Sequence, residues 1–93
     1  MQSLQDVVYN WLTIKVVADH RPDDTSARDT ERMFHGMLRD HDVTDVAIKK
    51  DEDRYEVTCS MKEGNRTFRF PTELIELMVN QMKDEPAKFK NYR

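Results

Sequence analysis

The sequence predicts a single domain of the α+β class in the order ααβββα, with a three-stranded antiparallel meander sheet and three helices packed on one of its faces. Three observations lead to this prediction. Apolar residues recur at helical spacing through the first 40 residues, they alternate with polar residues from residue 43 to residue 70, and helical spacing returns after Pro71. At 93 residues, the chain has room for one hydrophobic core.

The first helix is predicted over residues 3–19. Its apolar residues fall on one stripe, with Ser3 placed before them as an N-cap and Asp6 in the first turn, where a carboxylate complements the helix dipole. The β-branched run at residues 13–17 leaves a strand as the alternative for this segment. Pro22 ends the element, because the residue before a proline is driven out of the helical region.

The second helix is predicted over residues 25–40. Aspartates cluster near its start, and Arg39 and His41 lie near its end, so that charges complement the helix dipole at both termini. Helical spacing predicts that its inner face consists of Thr30, Met33, Phe34, Met37 and Leu38.

Alternation of apolar and polar residues predicts three strands, over residues 43–50, 54–62 and 65–70. Short turns connect them. The first is the acidic run at residues 51–53, and the second contains Gly64, which adopts positive φ without strain. Strands joined in this way form an antiparallel meander with one buried face and one solvated face.

A third helix is predicted over residues 72–83, followed by a basic tail over residues 84–93. In the first strand, alternation places Thr44, Val46 and Ile48 on one face. The predicted core draws on every helix and strand and consists of Trp11, Leu12, Phe34, Leu38, Val46, Ile48, Val57, Phe68, Phe70, Ile75 and Met78.

Charge and composition restrict the classes of function. The formal net charge of −3 argues against a broad nucleic-acid or anionic-membrane surface, since both favour a positive field. The single cysteine, Cys59, has no partner for an intramolecular disulfide, so we expect a reducing compartment. The first residues lack the features of a signal peptide, and no apolar run approaches the roughly 20 residues that span a bilayer. We therefore predict a cytoplasmic protein without a membrane segment.

Residue types that often carry chemistry are better explained in this sequence by structural roles. Cys59 shares strand parity with apolar residues, which predicts a core thiol rather than a nucleophile. The three histidines lack the spacing of metal ligands, and the acidic runs at 23–24 and 51–53 are typical of caps and turns. Two glycines are too few for a phosphate-binding loop. We predict no catalytic residue, no cofactor and no metal site, and hence no enzymatic activity.

Arginine alternates with aromatic residues in the segment 66–70, a pattern that some sheet-based RNA-binding proteins use to stack bases. The shared parity of Phe68 and Phe70 favours burial of both rings instead. This segment and the basic tail supply the candidate partner-binding residues, which are Arg66, Arg69, Lys88, Phe89, Lys90, Tyr92 and Arg93.

The leading functional hypothesis is a non-enzymatic protein-interaction or regulatory module that binds another protein or itself. A sheet edge offers one route to such binding, because a short strand pairs with its unpaired backbone groups. The alternative is a weak nucleic-acid binder that uses the basic C-terminal part. Nucleic acid is the less favoured partner because the net charge is negative.

Two further segments carry a resemblance to known proteins. Asn10–Thr25 has the sequence NWLTIKVVADHRPDDT, and Arg69, Phe70 and Pro71 precede the last predicted helix. Both segments resemble small uncharacterised proteins of Gram-positive bacteria. The resemblance covers most of the chain, implies no activity and transfers no site residue.

Overall fold

The computed structural model describes residues 3–84 of the chain, with the side chains of residues 3–82. The elements in chain order are α1 Leu4–His20, α2 Thr25–Asp40, β1 Val43–Lys50, β2 Arg54–Met61, β3 Gly64–Pro71, α3 Thr72–Ile75 and α4 Leu77–Asp84. The prediction of an α+β fold with a three-stranded antiparallel sheet is confirmed.

Helix α1 is continuous through the β-branched run, so the strand alternative for residues 13–17 is wrong. Ser3 caps the helix, since its Oγ accepts a 3.2 Å hydrogen bond from the amide of Asp6. The end of the run is held in α1 because Val17 and the following Ala18 are buried there, against Ala27 of α2 and Val79 of α4. Tertiary packing thus outweighs the local strand preference.

Helix α2 packs mainly along α1, and among the strands it contacts β1. Asp24 caps it through a 3.1 Å bond from the amide of Ala27, and the Nε1 of Trp11 on α1 donates a 2.9 Å bond to Glu31. Of the predicted inner face, Leu38 is buried, but Met33 is 57% exposed. The placement of Met33 in the interior is wrong because α2 packs mainly on α1, along a narrow stripe that leaves Met33 outside.

The sheet has the order β1-β2-β3, and its two hairpins are antiparallel. On β2, buried Tyr55, Val57 and Cys59 alternate with more exposed residues, and the buried Phe68 and Phe70 of β3 lie opposite Val57 and Tyr55. Cross-strand partners share a face. One face of the sheet therefore carries the apolar side chains, as the alternation predicts.

Strand β1 departs from strict alternation at its start. The register with β2 shifts between Val43 and Asp45, so that Thr44 is an extra residue in a β-bulge. The hydroxyl of Thr44 donates a 3.0 Å bond to the Ser60 carbonyl. Val43 is buried and Thr44 is exposed, so the alternation predicted along β1 does not extend regularly through its start.

The single helix predicted over residues 72–83 is wrong, because α3 and α4 share this segment and break at Glu76. The amide of Glu76 bonds to the Thr72 carbonyl and closes α3. Its carboxylate accepts bonds from the Tyr55 hydroxyl at 2.5 Å and the Lys50 ammonium at 2.7 Å, both on the sheet. These contacts hold Glu76 against the sheet where a continuous helix was expected.

The main core is built from apolar residues of α1, α2, the three strands and α3. Most predicted core residues are buried, and the confirmed ones are Trp11, Leu12, Leu38, Val57, Phe68, Phe70 and Ile75. Phe34 and Val46 are half-buried against this core. Two assignments are wrong, since Ile48 is 37% exposed and Met78 is 45% exposed. The break at Glu76 turns Met78 outward, and Ile48 lies on an edge strand.

Candidate interaction surface at the β1 edge

Strand β1 lies at one edge of the sheet and is bonded to β2 on one side, while no described strand pairs with its other side. In an antiparallel ladder, residues that bond to the neighbour alternate with residues whose backbone groups point away. The amide of Asp51 donates to the carbonyl of Arg54 at 3.0 Å, which turns the odd-numbered residues toward β2. The regular residues of β1 with outward backbone groups are Val46, Ile48 and Lys50.

The same parity applies at the opposite edge of the sheet. The amide of Thr72 donates to the carbonyl of Asp53 at 3.0 Å, so the even-numbered residues of β3 bond to β2 and the odd-numbered ones point outward. Pro71 therefore occupies an outward position, where a missing amide proton breaks no ladder bond. Thr67 occupies an equivalent outward position on β3.

Side chains on the two faces of β1 differ in chemistry. Val46 and Ile48 lie opposite Cys59 and Val57 and share their apolar face. The other face carries Asp45, Ala47 and Lys49, all exposed. Among the described residues, neither Asp45 nor Lys49 has an ion-pair partner within 4.0 Å. The edge thus offers an apolar row on one face and two opposite charges on the other.

The helical layer leaves the middle of β1 uncovered. Near the start of the strand, Leu38 of α2 and Val46 border a small cleft of about 110 Å³. Near its end, Lys50 reaches Glu76 at the junction of α3 and α4. Between these contacts Ile48 remains 37% exposed, although Val57 directly opposite is fully buried. An added strand would find an apolar side chain there to cover.

The bulge at Thr44 and the charge of Lys50 at the end of β1 are features that discourage edge pairing. Both are confined to the ends of the strand. The bulge precedes Asp45, and the charge of Lys50 is neutralised by Glu76. The residues from Asp45 to Lys49 keep a regular register with β2 and remain available for pairing.

Two of the predicted partner-binding residues are described, and they point to opposite faces of the sheet. Arg66 lies opposite Cys59, with its guanidinium carbon 5.1 Å from the centre of the Phe68 ring. Arg69 lies opposite Glu56 and donates to its carboxylate at 3.2 Å. The structure therefore does not bring them together. The other predicted residues, Lys88, Phe89, Lys90, Tyr92 and Arg93, lie outside the described residues.

Arg66 instead joins a concavity of about 760 Å³ between the end of α2 and the β2–β3 turn. Arg39 and Lys62 also line it, as do the carboxylates of Asp42 and Glu63. Phe68 and Phe70 are buried, which removes both rings from any base-stacking role. The concavity is an open surface of mixed charge.

Groups with the potential for chemistry are dispersed. Cys59 is fully buried, and burial raises the pKa of its thiol, so the prediction of a core cysteine is confirmed. The ring of His35 is tilted relative to that of Trp11, and the two ring centres lie 6.0 Å apart. Within residues 3–82, no three histidine, cysteine or carboxylate side chains are grouped so as to hold a metal ion.

Sequence reasoning missed the residues of the candidate surface. Ile48 was assigned to the core because alternation identifies a face but not whether a helix covers it. Asp45 and Lys49 were not recognised as part of a surface, because only the tertiary structure shows which side of β1 has no neighbouring strand. The available signal was the order of the meander, since its first strand always lies at a sheet edge.

Comparisons with protein-family models, with curated protein sequences and with solved structures found no match for this chain. The resemblance to small Gram-positive proteins stays a prediction. Among the described residues, no helix is both long and apolar enough to cross a membrane.

Proposed function

We propose that this chain is a small cytoplasmic, non-enzymatic interaction module that binds an extended polypeptide as an added strand at the β1 edge. The observation that supports the proposal most directly is at Ile48. Its backbone groups point away from β2, and its side chain is 37% exposed on the face that carries the core. Pairing there satisfies the backbone and covers the side chain at once.

Two contributions to the free energy of binding favour such pairing. Each new backbone hydrogen bond contributes about 0.5–1.5 kcal/mol net. Burying the remaining surface of Ile48 adds a fraction of the roughly 1.5–3 kcal/mol that a fully buried aliphatic side chain contributes. In this proposal, all the helices cover one face of the sheet, so that a strand added at the β1 edge extends the sheet sideways and meets no helix on the other face.

The test uses proline to remove an outward amide without breaking the sheet. In Ile48→Pro, the lost N–H points away from β2, so the β1–β2 ladder stays intact while edge pairing loses a donor and gains a clash. Thr67→Pro is the matched control, because it removes an outward amide at the β3 edge. Circular dichroism and thermal unfolding establish that both variants fold.

Each variant is then used as bait in lysate of the native cell, with and without nuclease. We expect a stoichiometric protein that is retained by the parent chain and by Thr67→Pro but lost with Ile48→Pro. Equal capture by all three baits would rule out the β1 edge as the binding surface.

The nuclease arm tests the alternative, nucleic-acid binding through the basic C-terminal part. That alternative expects partners that disappear with nuclease, and binding that weakens steeply with added salt. Arg69 supports it poorly, because its guanidinium is already bonded to Glu56.

A further inference from the structure

We infer that the strand added at the β1 edge is β1 of a second copy of this chain, antiparallel and centred on Ala47, so that two sheets join into one of six strands. This inference rests on the proposed function and names its partner. The supporting observation is that the apolar and charged side chains of β1 are complementary to those of a second β1 in one antiparallel register.

Symmetry limits the registers to those in which opposite residues share a face. A twofold axis at Ala47 places Val46 opposite Ile48 of the second copy, and Asp45 opposite Lys49 of the second copy. Each contact occurs twice. The two apolar pairs lie on the face that carries the core, and the two charge pairs lie on the solvated face. The same register makes Val46 and Ile48 a hydrogen-bonded pair, because both have outward backbone groups.

Neighbouring registers lose this match. An axis at Ile48 places Asp45 opposite Asp51 of the second copy, so that like charges meet. An axis at Lys49 places Lys49 opposite Lys49 of the second copy, so that like charges meet. An axis at Val46 pairs Asp45 with Ala47 and brings the bulge at Thr44 into the paired region. Charge complementarity and a regular backbone coincide in the Ala47 register alone among these four.

The helices are also compatible with this register. In each copy, α2 borders the start of β1, near Val43 and Val46, whereas Ile48 lies beyond its cover. Antiparallel pairing sets the covered start of one strand beside the uncovered end of the other. The two α2 helices then lie at opposite ends of the joint, and each exposed Ile48 gains an apolar neighbour.

The expected dimer is weak and depends on concentration. A single strand pair buries less than the roughly 1,200–2,000 Å² that stable complexes bury. We therefore expect a monomer–dimer equilibrium, which sedimentation velocity follows over a dilution series of the full chain at low and moderate salt.

Charge reversal tests the register. Lys49→Glu places two carboxylates opposite each other at both ends of the joint, and Asp45→Lys places two ammonium groups there. Each single variant is expected to raise the dimer dissociation constant by about tenfold. The double variant Asp45→Lys/Lys49→Glu restores both pairs with reversed sign and is expected to return to within about threefold of the parent. Failure of the double variant to recover overturns the inference.

Amide exchange gives a second readout at single residues. At low concentration, the amides of Val46 and Ile48 exchange faster than that of Ala47, and their protection rises with concentration as the dimer forms. A chain that stays monomeric at every concentration overturns the self-pairing inference. That outcome is distinct from failure of the proposed function. The proposed function fails when Ile48→Pro captures the same proteins as the parent chain.

Discussion

The hydroxyl of Tyr55 donates a 2.5 Å hydrogen bond to the carboxylate of Glu76, and this contact joins the middle strand to the break between α3 and α4. Tyr55 is buried with 6% exposure, and the ammonium of Lys50 lies 5.6 Å from the centre of its ring while it pairs with the same carboxylate. The three side chains hold the end of β1, the start of β2 and the last helices together.

Tyr55→Phe is expected to lower the free energy of unfolding by about 1.5–3 kcal/mol, because the lost hydrogen bond has a charged acceptor in a part-buried place. Urea denaturation measures the difference. Tyr9→Phe is the matched control. The ring centres of Tyr9 and Phe70 lie 5.7 Å apart, and the Tyr9 hydroxyl has no described hydrogen bond. We expect the control to stay within about 0.5 kcal/mol of the parent. Equal losses in both variants would contradict a specific role for the Tyr55–Glu76 bond.

Alkaline pH should destabilise the fold in two steps. Burial raises the pKa of the Cys59 thiol above its usual value of 9.0. Burial and then the bond to Glu76 raise the pKa of Tyr55 above 10.0. A group whose folded pKa is raised contributes stability that is complete below its unfolded pKa and is lost as the pH rises toward its folded pKa. Stability should therefore begin to fall above about pH 9, and more steeply above about pH 10.

Urea denaturation at a series of pH values separates the two contributions. Each group adds up to about 1.4 kcal/mol per pH unit to the slope. Cys59→Ala should remove the fall that begins near pH 9, and Tyr55→Phe should remove the part that begins near pH 10. A slope unchanged in both variants would mean that other groups control the alkaline transition.

The turn between β1 and β2 depends on one carboxylate. The Oδ1 of Asp51 accepts 2.8 Å bonds from the amides of Arg54 and Asp53, and these bonds hold the pKa of Asp51 below its usual range. A lowered folded pKa gives stability that is present above the unfolded value of 3.8 and is lost as the pH falls below it.

Asp51→Ala is expected to be less stable than the parent at pH 7 and to lose less stability on acidification below pH 4, because its turn no longer contains a titrating acceptor. Thermal unfolding from pH 7 to pH 2 measures both effects. Glu52→Gln is the control, since Glu52 is exposed in the same turn and has no described hydrogen bond. If the control shifts the acid transition as much as Asp51→Ala, the Asp51 bonds are not its cause.

Periodicity was sufficient to predict α1, α2 and the inward residues of β2 and β3, because each of these elements packs one side against the core. Three of its failures share a cause. The bulge at Thr44, the break at Glu76 and the exposure of Ile48 depend on contacts between residues distant in the chain. Glu76 leaves the helix pattern for Tyr55 and Lys50 on the sheet, and no spacing around Glu76 indicates this.

The candidate surface was predictable only in kind. A meander implies edge strands, so a sheet edge was predictable as a binding route. The choice of β1 was not predictable, because exposure at an edge depends on where the helices lie. The arginines were chosen by residue type, yet the parity of β3 separates Arg66 from Arg69.

Val57 and Ile48 give the sharpest test of how the helices cover the sheet, since they lie opposite each other on the same face. Val57 is fully buried and Ile48 is 37% exposed. In dilute monomer, Val57→Ala should cost about 2–3 kcal/mol, from lost burial and a cavity. Ile48→Ala removes a larger group but should cost less than about 1.5 kcal/mol, because solvent already reaches its side chain.

Urea denaturation of both variants at low and high protein concentration extends the comparison. The cost of Val57→Ala should not depend on concentration, because no partner reaches that side chain. The cost of Ile48→Ala should rise with concentration, because a strand added at β1 covers Ile48 in the parent and binding to the folded state adds to its stability. Equal costs for both variants in dilute monomer would show that Ile48 is covered within its own chain, and the β1 edge would then lose its apolar contact.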